Sequence, residues 1–287
     1  MIKTPEALGI SRITQKRIVG INNPPLNIAL FAVDRRNKAN EGNSDVIMII
    51  SIDAISKKMK MLSILRDTYV NIEGHGVDKI NAAFAIGGPQ LAIKTINQNF
   101  NLDIKNYIKV DFFGTAKIID ALGGVNINVK ATELPYINNY LNEIAIIENI
   151  PALPLKNFGE QKLNGKQTVA YTRIRAVGRG DFERTERQRT VLIALFNKLH
   201  GAGSGILPIF LTDILPNIET SMSNMTLFKL GNDMLNPKTK IIEQARFPLD
   251  SSSEGERINN IWYLTTDLKI TSDAIYNFIY KDIHPGK

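Results

Sequence analysis

The feature that most limits the fold is a series of short apolar runs rich in Ile and Val. LNIALFAV (residues 26–33) and SDVIMIISI (44–52) are bounded by polar, turn-forming residues, which is the pattern of buried strands. KMKMLSIL (58–65) follows the turn-like DAISK, and alternation at its start makes it an antiparallel partner of the run before it. In GGPQLAIKTINQNF (87–100), Pro89 sits in the first turn of a helix, and Leu91, Ala92, Ile96 and Phe100 fall on one stripe. YIKVDF then reads as a strand, FGTAKIIDALGG as a helix closed by glycine, and VNINV as a further strand. This alternation predicts an α/β protein with helices on both faces of a sheet.

The remaining segments carry weaker signals. Residues 1–25 read as a polar, flexible lead-in ending in NNPPL, a boundary. Between 131 and 163 the periodicity fades, and PALPLKNFGEQKLNG reads as loop. The C-terminal third offers a helical region around 205–216, strands near KIIEQARF and NIWYLTTDL, and a last helix in SDAIYNFIYKDI. No Gly/Ser linker or charge block divides the chain, so the expectation is one domain spanning 26–287. No apolar run approaches the roughly 20 residues of a spanning helix. The first residues also lack the apolar centre of a signal peptide.

The chemistry concentrates in YTRIRAVGRGDFERTERQRTVLIALFNKL (171–199), which carries Arg173, Arg175, Arg179, Arg184, Arg187 and Arg189 and runs into an apolar helix. On a helical wheel of about 100° per residue, Arg184 and Gln188 fall in the same stripe as Val191 and Leu195. They therefore face the core. A guanidinium there needs a carboxylate or an anion, because burying it unpaired is costly. Asp181 or Glu186 would serve as an internal partner. Arg173, Arg175 and Arg179 add to the cluster, and arginines converging on a helix N-terminus suit phosphate oxygens. The net charge of +7 favours anionic partners of any kind. A DNA-reading surface is not expected, since periodicity turns Arg184 inward and no helix-turn-helix or finger pattern occurs.

Three carboxylates sit at strand ends: Asp34 after the first run, Asp45 opening the second, Asp67 closing the third. Each alone is a common loop cap. Together, with Arg66 and the 173–188 cluster, they describe a pyrophosphate site assisted by Mg²⁺, which needs only one or two carboxylates besides substrate phosphates. With no cysteine and three scattered histidines, neither a thiolate nucleophile nor a zinc site is expected. G-x-S-x-G and Walker A patterns are absent too. Direct transfer, without a covalent enzyme intermediate, is the chemistry that remains.

NIALFAVDRR, SDVIMIISID, MLSILRDTYV, DKINAAFAIGGPQLAIKTI, VDFFGTAKIIDALGGV, LNGKQTVAYTRIR and GDFERTERQ, in this order between residues 27 and 199, resemble the LytR-CpsA-Psr family of Gram-positive cell-envelope proteins. The resemblance implies a three-layer α-β-α fold with a mixed central sheet, residues 200–287 extending the same domain. It implies phosphotransfer of a glycopolymer (teichoic acid, capsule or a related polymer) from undecaprenyl pyrophosphate to peptidoglycan. It also implies an N-terminal membrane helix in the full-length protein, with this domain on the extracytoplasmic face. Carried onto this sequence, Asp34 and Asp45 would hold Mg²⁺. Arg66, Arg173, Arg175, Arg184 and Gln188 would contact the pyrophosphate and sugar phosphate, supported by Asp181 and Arg187. The chain departs from the family where Asn43 and Ala32 replace the usual Arg and Gly, with Arg35 or Arg36 able to supply the missing charge at the substrate. Asn43 keeps open a second reading, a module that binds polyprenyl phosphates without turning them over. A transcriptional regulator is a third.

Overall fold

The computed structural model describes residues 1–33, 42–235 and 240–285. Helix α1 (Arg12–Val19) leads into β1 (Leu26–Val33), β2 (Ser44–Asp53) and β3 (Lys58–Ile64), followed by the short strands β4 (Tyr69–Ile72) and β5 (Gly76–Lys79). Next come α2 (Ala82–Phe100), β6 (Asn106–Asp111), α3 (Phe112–Ala121), β7 (Val125–Val129), α4 (Leu134–Glu148), β8 (Gly159–Leu163), α5 (Gly165–Thr172) and α6 (Asp181–Ala202). Helical turns from Gly203 to Asn217 include α7 (Leu207–Ile209). The chain then forms β9 (Glu219–Thr220), α8 (Asn224–Leu235), β10 (Lys240–Phe247), β11 (Ser253–Ile258), β12 (Ile261–Thr266) and α9 (Leu268–Lys281).

The central sheet has six strands in the order β10-β3-β2-β1-β6-β9. It is mixed: β1–β2 and β2–β3 are antiparallel, β10–β3 parallel. Both faces of β1 are buried, Ala29, Phe31 and Val33 on one side and Ile28, Leu30 and Ala32 on the other, which explains why its sequence is continuously apolar rather than alternating. The β2–β3 turn is built by Asp53, whose carboxylate accepts from the backbone of Ile55 at 2.8 Å and of Ser56 at 3.1 Å.

Cα packing divides the chain into two compact units, the first built on Met1–Lys109, Thr220–Asp233 and Lys238–Lys287, the second on Val110–Glu219. In the first, Phe31, Val33, Ile49, Leu62 and Phe247 form one core with Ile93, Ile96 and Phe100 of α2 and Ile275, Phe278 and Ile279 of α9. Helix α2 starts one turn earlier than its sequence suggests and breaks at Gly87 and Gly88, the latter at φ 61°, before restarting at Pro89. The expected lead-in is also structured. Leu8 and Ile10 enter the core, Asn97 donates to the Leu8 carbonyl at 2.8 Å, and Ser11 caps α1.

In the second unit, β7 and β8 pair antiparallel beneath α3–α6. Residues 131–163, read from the sequence as weakly patterned and loop, contain α4 and β8 instead. The helix buries Ile137, Leu141 and Ala145 at four-residue spacing, but outward Ile146 and Ile147 blur that period. The strand GEQKL is mostly polar because much of it faces out. Helices α3 and α5 touch at Gly165, where a Cβ would lie 2.1 Å from the Ala116 carbonyl oxygen. Among the described residues no helix is long and apolar enough to cross a membrane.

Candidate functional site

In the first unit, Arg66 and Asp45 meet because β2 and β3 run antiparallel, which sets the start of one beside the end of the other. Asp45 is the second residue of β2, and Arg66 lies just past the end of β3. Arg66 Nη1 donates to Asp45 Oδ1 at 2.5 Å, and its Nε lies 3.5 Å from Asp67 Oδ2. Asp67 Oδ1 in turn pairs with Lys79 Nζ at 2.8 Å. The backbone holds this loop from several sides. Leu65 N donates to Phe247 O, Leu264 N to Asp67 O, Ile80 N to Thr68 O and Asn81 N to Arg66 O. Lys79 was not anticipated from the sequence, because nothing local links a β5 lysine to Asp67.

Asp34, Arg35 and Arg36 lie outside the described residues. Asp45 is therefore the described half of the expected metal pair. It is a hard oxygen donor and stays partly exposed, which fits Mg²⁺, a metal that completes its shell with phosphate oxygens and water. Among the described residues no group of three or more His, Cys, Asp or Glu could hold a metal by itself.

In the second unit the arginines gather where α5 ends and α6 begins. Arg184, Arg187, Gln188 and Arg189 are buried, so the inward placement of Arg184 and Gln188 follows the helical period. Asp181, the first residue of α6, pairs with Arg184 Nε at 3.1 Å and with Arg175 Nε at 3.3 Å. Of the two internal partners weighed for Arg184, Asp181 is the one it meets. Among the described residues, Gln188 Oε1 is buried without a hydrogen-bond partner, an acceptor open to a donor such as a hydroxyl. Arg173 lies 4.7 Å from the Tyr140 ring centroid and 5.8 Å from that of Phe112, within reach of the cation–π attraction of two aromatic rings. Arg179 is exposed and spends its charge on Glu183, 3.8 Å away on the next turn.

Arg187 has a more internal setting than a substrate contact. Its Nε donates to Glu133 Oε1 at 2.8 Å, Nη1 to Ile174 O at 3.0 Å and Nη2 to Val177 O at 3.3 Å. It thereby ties α6 to the residue preceding α4 and to the loop that carries Arg173 and Arg175. Glu133 also accepts from Lys130 N at 2.9 Å. The sequence did contain a signal for it, an acidic residue and Pro135 at a helix start. Tyr171 is packed beside this pair, and burial first, then the Glu133 charge, push its phenol up to about 12, so it remains a neutral hydroxyl.

The LytR_cpsA_psr family model matches residues 6–277. Among curated proteins, the "Polyisoprenyl-teichoic acid--peptidoglycan teichoic acid transferase TagU" of Oceanobacillus iheyensis is 34% identical over 270 residues, covering 90% of this chain and 75% of the relative. Among solved structures, Bacillus subtilis TagV is 28% identical with a TM-score of 0.71, covering 92% of this chain and all of that one. A "LytR-CPS2A-psr family protein YwtF (TagT) with bound octaprenyl pyrophosphate lipid" shares the fold at a TM-score of 0.65 and 22% identity, over 89% of this chain and 90% of that one.

Proposed function

The chain belongs to the LytR_cpsA_psr family, and from that membership we propose that it is a Mg²⁺-dependent phosphotransferase that moves a glycopolymer from a polyprenyl-pyrophosphate carrier to peptidoglycan. The observation that carries the reading is the Asp45–Arg66 contact at 2.5 Å. Two strand ends place a carboxylate suited to a hard cation beside a guanidinium suited to phosphate. The teichoic acid transferase named among the relatives and the octaprenyl pyrophosphate in a solved protein of this fold support the choice of substrate.

The reaction joins an acceptor hydroxyl oxygen to the phosphorus of the polymer-bearing phosphate, while that phosphorus loses its bond to polyprenyl phosphate, which departs and takes up the hydroxyl's proton. Asp45, together with Asp34, would hold Mg²⁺, which when bound neutralises charge that builds on the phosphate oxygens. Arg66 takes up phosphate charge from a fixed position. In the second unit, Arg173, Arg175 and Arg184 form an anion-binding cluster, in which Asp181 aims two of the guanidiniums and Arg187 fixes their loop. Gln188 Oε1 accepts from a substrate hydroxyl.

Native mass spectrometry of the purified protein, with extraction of bound lipid and a parallel assay of polymer transfer with and without Mg²⁺, tests the proposal. A polyprenyl phosphate or pyrophosphate in the wild type that is lost in Arg66→Ala, with metal-dependent transfer lost as well, is the expected result. A wild type that takes up no added polyprenyl pyrophosphate in the presence of Mg²⁺ overturns it. Lipid uptake without transfer leaves the binding module.

A further inference from the structure

The β11–β12 hairpin contributes nothing to the chemistry above, yet it is stitched to the loop that carries Arg66. Its tight turn is Asn259-Asn260, at φ 50° and 65°, the left-handed pair that matches strand twist in a two-residue hairpin. Leu264 N donates to Asp67 O at 2.9 Å, and Thr68 bridges Leu264 in parallel. On the side chains, Tyr263 packs on Tyr69 with centroids 4.7 Å apart and donates through its hydroxyl to Asp78 at 3.3 Å. Lys79 Nζ, which pairs with Asp67, lies 5.8 Å from the Tyr263 centroid and 6.0 Å from that of Trp262.

Trp262 itself is 41% exposed. Its indole lies along β11 because residue 255 is glycine: a Cβ there would meet the ring at 3.1 Å. The result is an aromatic surface, partly open to solvent, next to Lys79 and continuous with the Arg66 loop. Such a surface suits a sugar ring. The C–H groups of a pyranose carry slight positive charge and settle on the electron-rich indole face, while its hydroxyls reach charged neighbours: Lys79 and Arg257, which stands across the hairpin from Trp262.

We infer that Trp262, with Lys79 beside it, forms a saccharide subsite that takes a pyranose unit of a glycan. The inference rests on the glycopolymer reading above. Both the transferred polymer and the acceptor strand can present such a ring, and Lys79 couples its arrival to Asp67 and Arg66.

Trp262 is the only tryptophan in the chain, so its fluorescence reports the subsite directly. The full chain is titrated separately with soluble peptidoglycan glycan strands, with lipid-free saccharide released from the wall polymer, and with vesicles of anionic phospholipid. A saturable emission change with a saccharide, and about tenfold weaker binding of that saccharide to Trp262→Ala by calorimetry with unchanged circular dichroism, is the expected result. The saccharide that produces it identifies the source of the ring. An emission change with vesicles alone overturns the inference in favour of a membrane contact, and no change with any probe overturns it outright. Should the wild type still retain polyprenyl pyrophosphate and transfer polymer in that last case, only the subsite falls. A saccharide response from a protein that binds no lipid would instead remove the transferase reading and keep the subsite.

Discussion

Glu133→Ala tests whether the arginine loop is held from inside. The side chains of Glu133 and Arg187 are 2% and 5% exposed, so removing the carboxylate strands a guanidinium in a region that water reaches poorly. Losing one partner of such a pair costs about 3–5 kcal/mol, because the remaining charge keeps its desolvation penalty without compensation. For a chain of this size that lowers Tm by about 6–10 °C, using roughly 2 °C per kcal/mol. Arg187 also donates to the Ile174 and Val177 carbonyls, so the loop bearing Arg173 and Arg175 should loosen and transfer should weaken with stability. Urea denaturation of the wild type, Glu133→Ala, Arg187→Met and the double variant Glu133→Leu/Arg187→Met measures the coupling. The double variant should be more stable than Glu133→Ala, since no charge is left alone. A single-variant cost below about 1 kcal/mol, or a double variant as unstable as the two single losses added together, would refute the reasoning.

Two further outcomes follow from local structure. Hydrogen bonds from Lys58 and then Lys60 hold the Asp282 carboxyl down to about 2; its folded value lies below the ordinary one near ~4. The stability it adds is therefore fully present above that ordinary value and is lost as pH falls through about 2. Asp282→Asn should flatten the acid limb of a Tm-against-pH curve below ~4, by a modest amount because the side chain is 49% exposed; an unchanged limb would show that the pair contributes nothing. Gly165→Ala should cost about 1–3 kcal/mol or more through overpacking, since its Cβ would sit 2.1 Å from the Ala116 carbonyl oxygen. Chemical denaturation measures that loss, and a stability equal to wild type would mean that α3 and α5 can separate freely.

The sheet was readable wherever burial made the sequence continuously apolar. Strands β1, β2 and β3 were located this way, as was the antiparallel β2–β3 pairing. Strands β4, β5 and β8 were not, because YVNI, GVDK and GEQKL are short and half polar, and such segments gain their strand form from partners distant in sequence. The lead-in was misread for a related reason: Leu8 and Ile10 have no periodic neighbours, and only the tertiary fold shows that they are core. At the site, periodicity alone turned Arg184 and Gln188 inward. It could not supply Glu133, which lies 54 positions from Arg187, nor Lys79, whose link to Asp67 depends on how β5 returns past the end of β3. Helix phase is a local property, whereas the identity of a buried ion-pair partner is not.

The loop from Leu65 to Thr68 is short and irregular, yet its backbone is bonded to β10, to β12 and to the junction between β5 and α2. An arginine on a free loop would surrender conformational freedom each time an anion arrived, and that ordering cost would be subtracted from its affinity. Here the ordering is completed when the chain folds. The guanidinium is presented as stiffly as a residue inside a sheet, so even a one-residue insertion between β3 and β4, in a stretch that looks like an ordinary connection, would act on affinity as though it had been made in the core.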